Sequence, residues 1–203
     1  NEIVVLRSTD MMQEVVKQLD LYATVFNKGN VRTEELYKSS APLKFVALNK
    51  EDFSLYKTYF FSVDWKKNIV TIDNKNVPFD SVVVLDGNPV RLVMNQGYTK
   101  SVTGKNYYVQ FTSLGGAAGS IVGGLSIAPY SYSSTILNVS LQTPVQEKGR
   151  DILKKLFEIY NVNGVEDKNE IAQKTLNFID DRLGIVSFQL DSVERNIAHF
   201  QSK

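Results

Sequence analysis

The apolar pattern of the chain changes from strand to helix within "STILNVSLQTPVQEKGRDILKKLFEIYN", which spans residues 134–161. Its first part, 134–142, is rich in β-branched and apolar residues and predicts a strand. From residue 145 onward the apolar residues follow helical spacing, and Thr143, Pro144 and Gln146 stand where an N-cap, a first helical residue and a capping box are expected. We therefore predict a helix at 145–160 directly after the last strand of a sheet.

The chain before this switch has the composition of a sheet. Six further stretches rich in β-branched and aromatic residues predict strands at 42–49, 56–65, 68–73, 81–86, 90–94 and 106–114. "DWKKN" at 64–68 and "DGNP" at 86–89 are typical of tight connections between neighbouring strands, and Gly87 can adopt a positive φ. Short connections of this kind favour antiparallel pairing.

A helix is also predicted near the N-terminus, at 11–19, where Ser8, Thr9 or Asp10 can act as the cap. With strands segregated between two helical ends, the predicted fold class is α/β of the α+β kind: a mostly antiparallel mixed sheet with helices packed on one face. The predicted domains are an α/β base at 1–164, in which 51–95 is a candidate insertion, and the first part of a long helix or coiled-coil hairpin at 165–203.

The predicted C-terminal helix follows a polar break at 161–170, with Asp167 as its cap, and carries a heptad stripe. Alternating steps of four and three residues keep apolar side chains on one seam that faces another helix. The predicted seam is formed by Ile179, Leu183, Val186, Leu190, Val193, Ile197 and Phe200. An ordinary amphipathic helix packed on its own domain is the alternative, because only about three heptads are present. Gly184 costs about 1 kcal/mol inside this helix without breaking the stripe.

Composition excludes several classes of protein. The 203 residues are 43% hydrophobic and 22% charged, which is typical of a globular domain. A net charge of +1 gives no support to nucleic-acid binding, and there is no apolar run of membrane-spanning length. Zero cysteines excludes disulfides and thiolate metal sites. Because the chain begins without Met and ends inside a predicted helix, we expect it to be a piece of a longer protein.

No catalytic, cofactor or metal site is predicted. The glycine-rich stretch at 113–126 has Leu125 and Ser126 where a phosphate-binding loop needs Lys and Ser or Thr, so we interpret it as a loop, a bulge or a close approach of strands. His199 is the only histidine and has no clustered ligands. Asp180 and Asp181 are adjacent in sequence and therefore diverge on a helix instead of forming an acid/base pair. The tyrosines of "YKTYFF", "NYYV" and "YSYSS" leave open an aromatic platform for a sugar.

The C-terminal third resembles the chain-length-determinant, or polysaccharide co-polymerase, family. The resemblance rests on a helix with an Asp-Ile-Leu…Leu…Tyr-Asn pattern and on a following long helix with Thr…Phe-Ile…Arg-Leu…Val. The matching positions are Asp151, Leu153, Leu156, Tyr160, Asn161, Ala172, Thr175, Phe178, Ile179, Arg182, Leu183, Val186, Leu190 and Glu194. Gly149 and Lys154 depart from the pattern. The N-terminal segment matches as well, at Glu2, Ile3, Leu6, Ser8, Val16, Leu19 and Leu21, whereas 51–95 is less typical.

The resemblance implies a periplasmic domain held between two transmembrane helices of an inner-membrane protein, with a long helix that rises from an α/β base and returns. It implies self-association in the full-length protein and contact with the polysaccharide, its polymerase and an outer-membrane export protein, but no nucleic acid. Members with this kind of sequence usually continue into a cytoplasmic tyrosine autokinase for capsule or exopolysaccharide export. We therefore expect the parent to be such a kinase and the present chain to be non-catalytic.

Two functional hypotheses follow from the sequence. The first is a non-catalytic domain that oligomerises and regulates the chain length, polymerisation or export of a capsular polysaccharide or exopolysaccharide. The second is a carbohydrate-binding or glycan-processing module, which requires paired carboxylates or an aromatic platform in a cleft.

Overall fold

The computed structural model describes residues 2–29, 32–51, 53–95, 97–98, 106–132 and 134–201, and at Asn106 and 188–201 it describes the backbone alone. The chain divides into two compact units, Asn1–Ile159 and Tyr160–Lys203. We refer to the first as the base and to the second as the distal helix.

Helices lie at both ends of the chain, with the strands and a further α-helix between them. The helices are α1 (Glu2–Leu6), α2 (Thr9–Leu19), α3 (Leu114–Gly124) and α4 (Gln146–Gln201), with a short 3₁₀ helix at Lys38–Ser40. The strands are β1 (Ala23–Lys28), β2 (Thr33–Leu36), β3 (Leu43–Ala47), β4 (Thr58–Asp64), β5 (Ile69–Ile72), β6 (Lys75–Pro78), β7 (Val82–Leu85), β8 (Asn88–Met94), β9 (Asn106–Phe111), β10 (Leu125–Pro129) and β11 (Leu137–Leu141).

Within the described residues, these strands form a six-stranded sheet in the order β2-β1-β9-β4-β5-β6, a three-stranded sheet β3-β8-β7 and the hairpin β10-β11. Each of the pairings between described strands is antiparallel. The predicted α+β class with antiparallel sheets and a long C-terminal helix is confirmed. The candidate insertion at 51–95 supplies β4 to β8, and β4 pairs directly with β9 inside the large sheet.

Two-residue turns set the register of two hairpins. Asp86 and Gly87 have φ values of 43° and 82° and connect β7 to β8, where Leu85 pairs with Asn88. Asp73 and Asn74, with φ values of 50° and 59°, connect β5 to β6 in the same way. Left-handed φ at both central residues is the signature of a type I′ turn, whose twist matches that of the flanking strands.

An aromatic core joins the two larger sheets. Phe45 of β3 lies 5.3 Å from Phe61 of β4 and 5.8 Å from Phe111 of β9, measured between ring centroids. Phe53, in the loop before β4, contacts both Phe111 and Tyr22. Fully burying a side chain of this size contributes about 1.5–3 kcal/mol, so these contacts account for much of the adhesion between the sheets.

Helix α2 confirms the N-terminal helix prediction. It begins at Thr9, and the Ser8 hydroxyl accepts a hydrogen bond from the Met11 amide, as an N-cap does. Its buried face is made by Met11, Met12, Val15 and Val16. The helix ends at Leu19, and Asp20, the residue that follows, has a left-handed φ of 57° and lets the chain turn into β1.

The interpretation of the glycine-rich stretch as a loop or bulge is wrong. Residues 114–124 form α3, which Ser113 caps by accepting a hydrogen bond from the Gly116 amide. Ala117 and Ala118 are buried, and α3 packs closely against α2. Small residues favour the helix here because they allow the two backbones to approach, and this packing outweighs the poor helix propensity of glycine.

The predicted break at 161–170 is also wrong, because α4 continues from Gln146 to Gln201. No proline lies in this segment, and Asn, Asp and glycine residues each cost at most about 1 kcal/mol in a helix. At its start, α4 begins two residues later than Pro144, and the Thr143 hydroxyl donates to the Val145 carbonyl at 3.5 Å instead of capping the helix. Strands β1, β2, β6 and β10 are absent from the sequence prediction.

Candidate assembly surface on the distal helix

The described part of the distal helix carries large apolar side chains that are exposed. Val162, Leu176 and Leu183 are each more than half exposed, and Ile179 and Val186 are about half exposed. Soluble proteins rarely leave a contiguous apolar surface of this extent without a partner. The distal helix is therefore the strongest candidate for a functional surface in this chain.

The predicted seam falls partly within the described residues. Ile179, Leu183 and Val186 lie exposed on α4, as part of one apolar stripe. The side chains of Leu190, Val193, Ile197 and Phe200 lie outside the described residues, although their backbone continues the helix. The role of the seam in assembly stays a prediction.

Because the helix has no break, the stripe extends further back than the sequence prediction placed it. Steps of three and four continue without interruption through Leu176, Ala172, Asn169, Val165 and Val162. In heptad terms, the a positions include Val162, Asn169, Leu176 and Leu183, and the d positions include Val165, Ala172, Ile179 and Val186. We call this set, continued to Phe200 by the sequence, the a/d stripe. It covers more than five heptads, above the roughly three to four that indicate a coiled coil.

The positions that flank the a/d stripe carry opposite charges. Glu166 and Asp180 occupy e positions on one side, whereas Lys168 and Arg182 occupy g positions on the other. Residues at e and g lie beside the partner helix in a coiled coil and set its orientation. Among these residues, the negative charges thus lie on one side of the stripe and the positive charges on the other.

A second apolar row lies beside the a/d stripe. Ile171, Phe178 and Ile185 recur every seven residues, at c positions, and Phe178 is 69% exposed. The sequence prediction missed this row because it followed one seam. A helix with two apolar rows can contact two neighbours at once, as helices in larger bundles do.

The base contains a polar cluster around Asp20. The buried Asp20 carboxylate forms ion pairs with Lys44 at 2.7 Å and with Lys50 at 2.5 Å. It also accepts a 2.8 Å hydrogen bond from the Tyr22 hydroxyl. Burial raises the pKa of Tyr22, with the neighbouring Asp20 acting in the same direction. Through these contacts, Asp20 joins the end of α2 to β3 and to Lys50 beyond it.

A second cluster connects α4 to the segment around β2. Asp151 accepts a hydrogen bond from the Tyr37 hydroxyl at 3.0 Å and forms an ion pair with Lys38 at 2.5 Å. Burial alone would raise the pKa of the Asp151 carboxyl group, but the bonds from Lys38 and Tyr37 outweigh it, so the pKa lies below its ordinary value. Nearby, Lys148 pairs with Glu35 of β2 at 2.5 Å. Asp151 belongs to the family resemblance, but its partners are too distant in sequence for a local pattern to reveal them.

A cavity of about 140 Å³ lies between these clusters. Its lining includes Asp20 and Lys44, which pair with each other, and Glu35 and Lys148, which form a second pair. The charged groups are thus compensated by one another, which is the arrangement expected of a structural site.

The other residues weighed in the sequence lie apart from one another. Asp180 and Asp181 are exposed on the distal helix, and the side chain of His199 lies outside the described residues. The described residues contain no group of three His, Cys, Asp or Glu side chains arranged to hold a metal ion. No helix in the described part of the chain combines the length and apolar composition needed to cross a membrane.

The tyrosines considered for sugar binding are dispersed. Tyr59 and Tyr107 are buried in the core, and Tyr130 and Tyr132 are exposed near the end of the β10-β11 hairpin. One aromatic row does exist on the outer face of the six-stranded sheet, where Tyr108 lies 4.9 Å from Phe26 and 5.7 Å from Phe60, between ring centroids.

Comparisons with known proteins leave the family resemblance without independent support. No family model matches the chain, and no curated protein matches it either.

Proposed function

We propose that this chain is the non-catalytic, self-associating periplasmic domain of an inner-membrane polysaccharide co-polymerase. In this role it organises the polymerisation, chain length or export of a capsular polysaccharide or exopolysaccharide. The full-length parent would carry the flanking membrane helices and, by the same resemblance, a cytoplasmic tyrosine autokinase.

The observation that carries the proposal is the exposed a/d stripe on the distal helix. Burying a Leu, Ile or Val side chain contributes roughly 1.5–3 kcal/mol, so covering the stripe releases enough free energy to drive assembly. The base supports the same role, because its clusters at Asp20 and Asp151 are ion pairs that hold elements together. The association with polysaccharide comes from the family resemblance of the motifs in α4 and at the N-terminus.

The proposal is tested in the intact protein, in cells that depend on it for their surface polysaccharide. Leu183→Asp places a charge in the middle of the stripe, and we expect it to dissociate the oligomer seen by native electrophoresis and to alter the length distribution or amount of the polysaccharide. Lys174→Asp is the control, because position 174 lies on the opposite side of the helix from the stripe. A Leu183→Asp protein that remains oligomeric and produces normal polysaccharide would contradict the proposal.

A carbohydrate-binding module is the second candidate, and the row formed by Phe26, Tyr108 and Phe60 favours it. Phe60 is 59% exposed, and an open depression of about 610 Å³ beside it is lined by Thr58, Ser62 and Thr71. Aromatic rings can stack on the apolar faces of sugars while hydroxyl groups bond to the rims. Titration of the chain with oligosaccharides of the host polysaccharide, followed by nuclear magnetic resonance, tests this. Binding that Phe60→Ser abolishes, and that Val84→Ser on β7 leaves unchanged, would support it.

A further inference from the structure

The a/d stripe needs a partner helix, and its flanking charges restrict what that partner can be. The stripe runs along one uninterrupted helix from Val162 to Phe200, which at 1.5 Å per residue is roughly 57 Å long. A partner must therefore be a helix of similar length, and its e and g residues must be compatible with those of this chain.

The flanking charges of the distal helix favour one relative direction for two copies. In an antiparallel pair, e positions face e positions and g positions face g positions. When the described parts of the two stripes, 162–186, overlap fully, Glu166 faces Asp180 of the other copy and Lys168 faces its Arg182. Like charges at these positions disfavour the antiparallel arrangement.

A parallel pair avoids these repulsions. There, each g residue faces the e residue five positions later in the other copy, which brings Lys168 beside Gln173, Thr175 beside Asp180 and Arg182 beside Ser187. None of these contacts joins like charges, and each combines a charged residue with a polar side chain that can form a hydrogen bond.

Asn169 specifies the register of such a pair. It occupies an a position within an otherwise apolar stripe, and a single Asn at an a position is known to fix both register and alignment, because the amide is satisfied only opposite another polar group. Only the in-register parallel arrangement places Asn169 of one copy opposite Asn169 of the other.

We infer that the a/d stripe binds the same stripe of a second copy of this chain, in parallel and in register, with Asn169 facing Asn169. The inference rests on the assembly role proposed above and specifies its partner and geometry.

Disulfide cross-linking tests this directly, because the chain contains no cysteine. Val165→Cys and Val186→Cys are made as separate variants, at d positions 21 residues and roughly 32 Å apart along the helix. A parallel in-register pair cross-links at both positions. An antiparallel pair is related by one two-fold axis perpendicular to the helices, so a residue meets its own copy only near that axis, and at most one of the two variants cross-links. Lys174→Cys, at an outward f position, is the control and should give little or no product.

Each result in the intact protein is informative. Cross-linking of both variants supports the inference, and cross-linking of one alone overturns the parallel orientation. An oligomer that persists without either cross-link shows that another helix covers the stripe, so the inference fails while the assembly role stands. If the unmodified protein forms no oligomer, both the inference and the proposed assembly role are contradicted.

Register is tested with pairs of variants, in which chains carrying Val165→Cys are mixed with chains carrying Ala172→Cys. These d positions differ by one heptad, so they meet only when the helices slip. We expect almost no mixed cross-link with Asn169 present and at least a several-fold increase when both chains also carry Asn169→Val. An equal yield of the mixed cross-link with and without Asn169 would overturn the role of Asn169 in setting the register. Circular dichroism of each variant establishes that the helix is retained.

Discussion

The phenolic hydroxyl of Tyr37 donates a 3.0 Å hydrogen bond to the carboxylate of Asp151, which lies 114 residues away in sequence. Lys38 approaches the same carboxylate at 2.5 Å. These contacts attach the first turns of α4 to the segment that follows β2. They hold the beginning of the long helix within the base, and their strength depends on the ionisation of Asp151.

Acid should weaken this attachment. The pKa of Asp151 is lower in the folded chain than its ordinary value of about 3.8. The ionised carboxylate therefore contributes stability that is fully present above that value and is lost as the pH falls through the folded-state pKa. We expect Asp151→Asn to lower the free energy of unfolding at pH 7 and to make its decline from about pH 5 to pH 2 shallower, as measured by urea unfolding. Asp181→Asn, on the exposed distal helix, is the control, and equal slopes for Asp151→Asn and the unmodified chain would contradict the expectation.

Asp20 should be among the most sensitive polar residues of the base. Its side chain is 5% exposed and pairs with Lys44 and Lys50. We expect Asp20→Ala to lower the free energy of unfolding by roughly 3 kcal/mol, because it removes these bonds and places Ala at a left-handed φ. Asp20→Asn should cost about half as much or less, since Asn accepts hydrogen bonds and tolerates that backbone conformation. Urea unfolding with similar losses for both variants would show that the charge alone is responsible.

Two glycines of α3 should respond to alanine in opposite directions. A Cβ at Gly124 would lie 2.9 Å from the Gln142 carbonyl oxygen, at the point where the Gln142 amide donates to the Gly124 carbonyl. We expect Gly124→Ala to destabilise the base by about 1–3 kcal/mol through this overlap. A Cβ at Gly119 would meet no atom of the described residues within 4 Å, so Gly119→Ala should stabilise the helix by up to about 1 kcal/mol. Thermal unfolding of the two variants distinguishes them, and a stabilised Gly124→Ala protein would show that the contact with Gln142 relaxes freely.

A charge on the stripe should affect assembly and leave the base folded. Leu183 is 58% exposed, so Leu183→Asp removes no buried side chain from the described part of the chain. We expect the base of this variant, and of Leu190→Asp, to unfold at the same urea concentration as the unmodified chain when both are monomeric. If either variant unfolds the isolated chain cooperatively at a much lower concentration, the distal helix belongs to the core of the base.

Local patterns in the sequence predicted the features that depend on near neighbours. Ser8 caps α2, and Asp86 and Gly87 form the turn between β7 and β8, because the conformational preferences involved act over two to four residues. The apolar steps from Ile179 onward predict a stripe for the same reason, since helical periodicity relates residues three and four apart.

The sequence prediction was wrong where the local preference for a helix is weak. The glycines at 114–124 and the polar residues at 161–170 have low helix propensity, yet both segments are helical. For α3, burial of Ala117 and Ala118 and the packing of this helix on α2 supply the missing free energy. For α4, the absence of proline leaves the hydrogen-bond ladder intact.

By itself, the sequence determined which segments are strands and helices where the periodicity is strong, the hairpin connections at 64–68 and 86–89, and the apolar stripe from Ile179 onward. The tertiary structure alone decided that β9 lies between β1 and β4, that Phe45 meets Phe61 and Phe111, and that Tyr37 and Lys38 meet Asp151. The reason is physical: contacts between residues so far apart in the chain carry a loop-closure cost that no local preference offsets, and they form only because burial of the whole core stabilises them together.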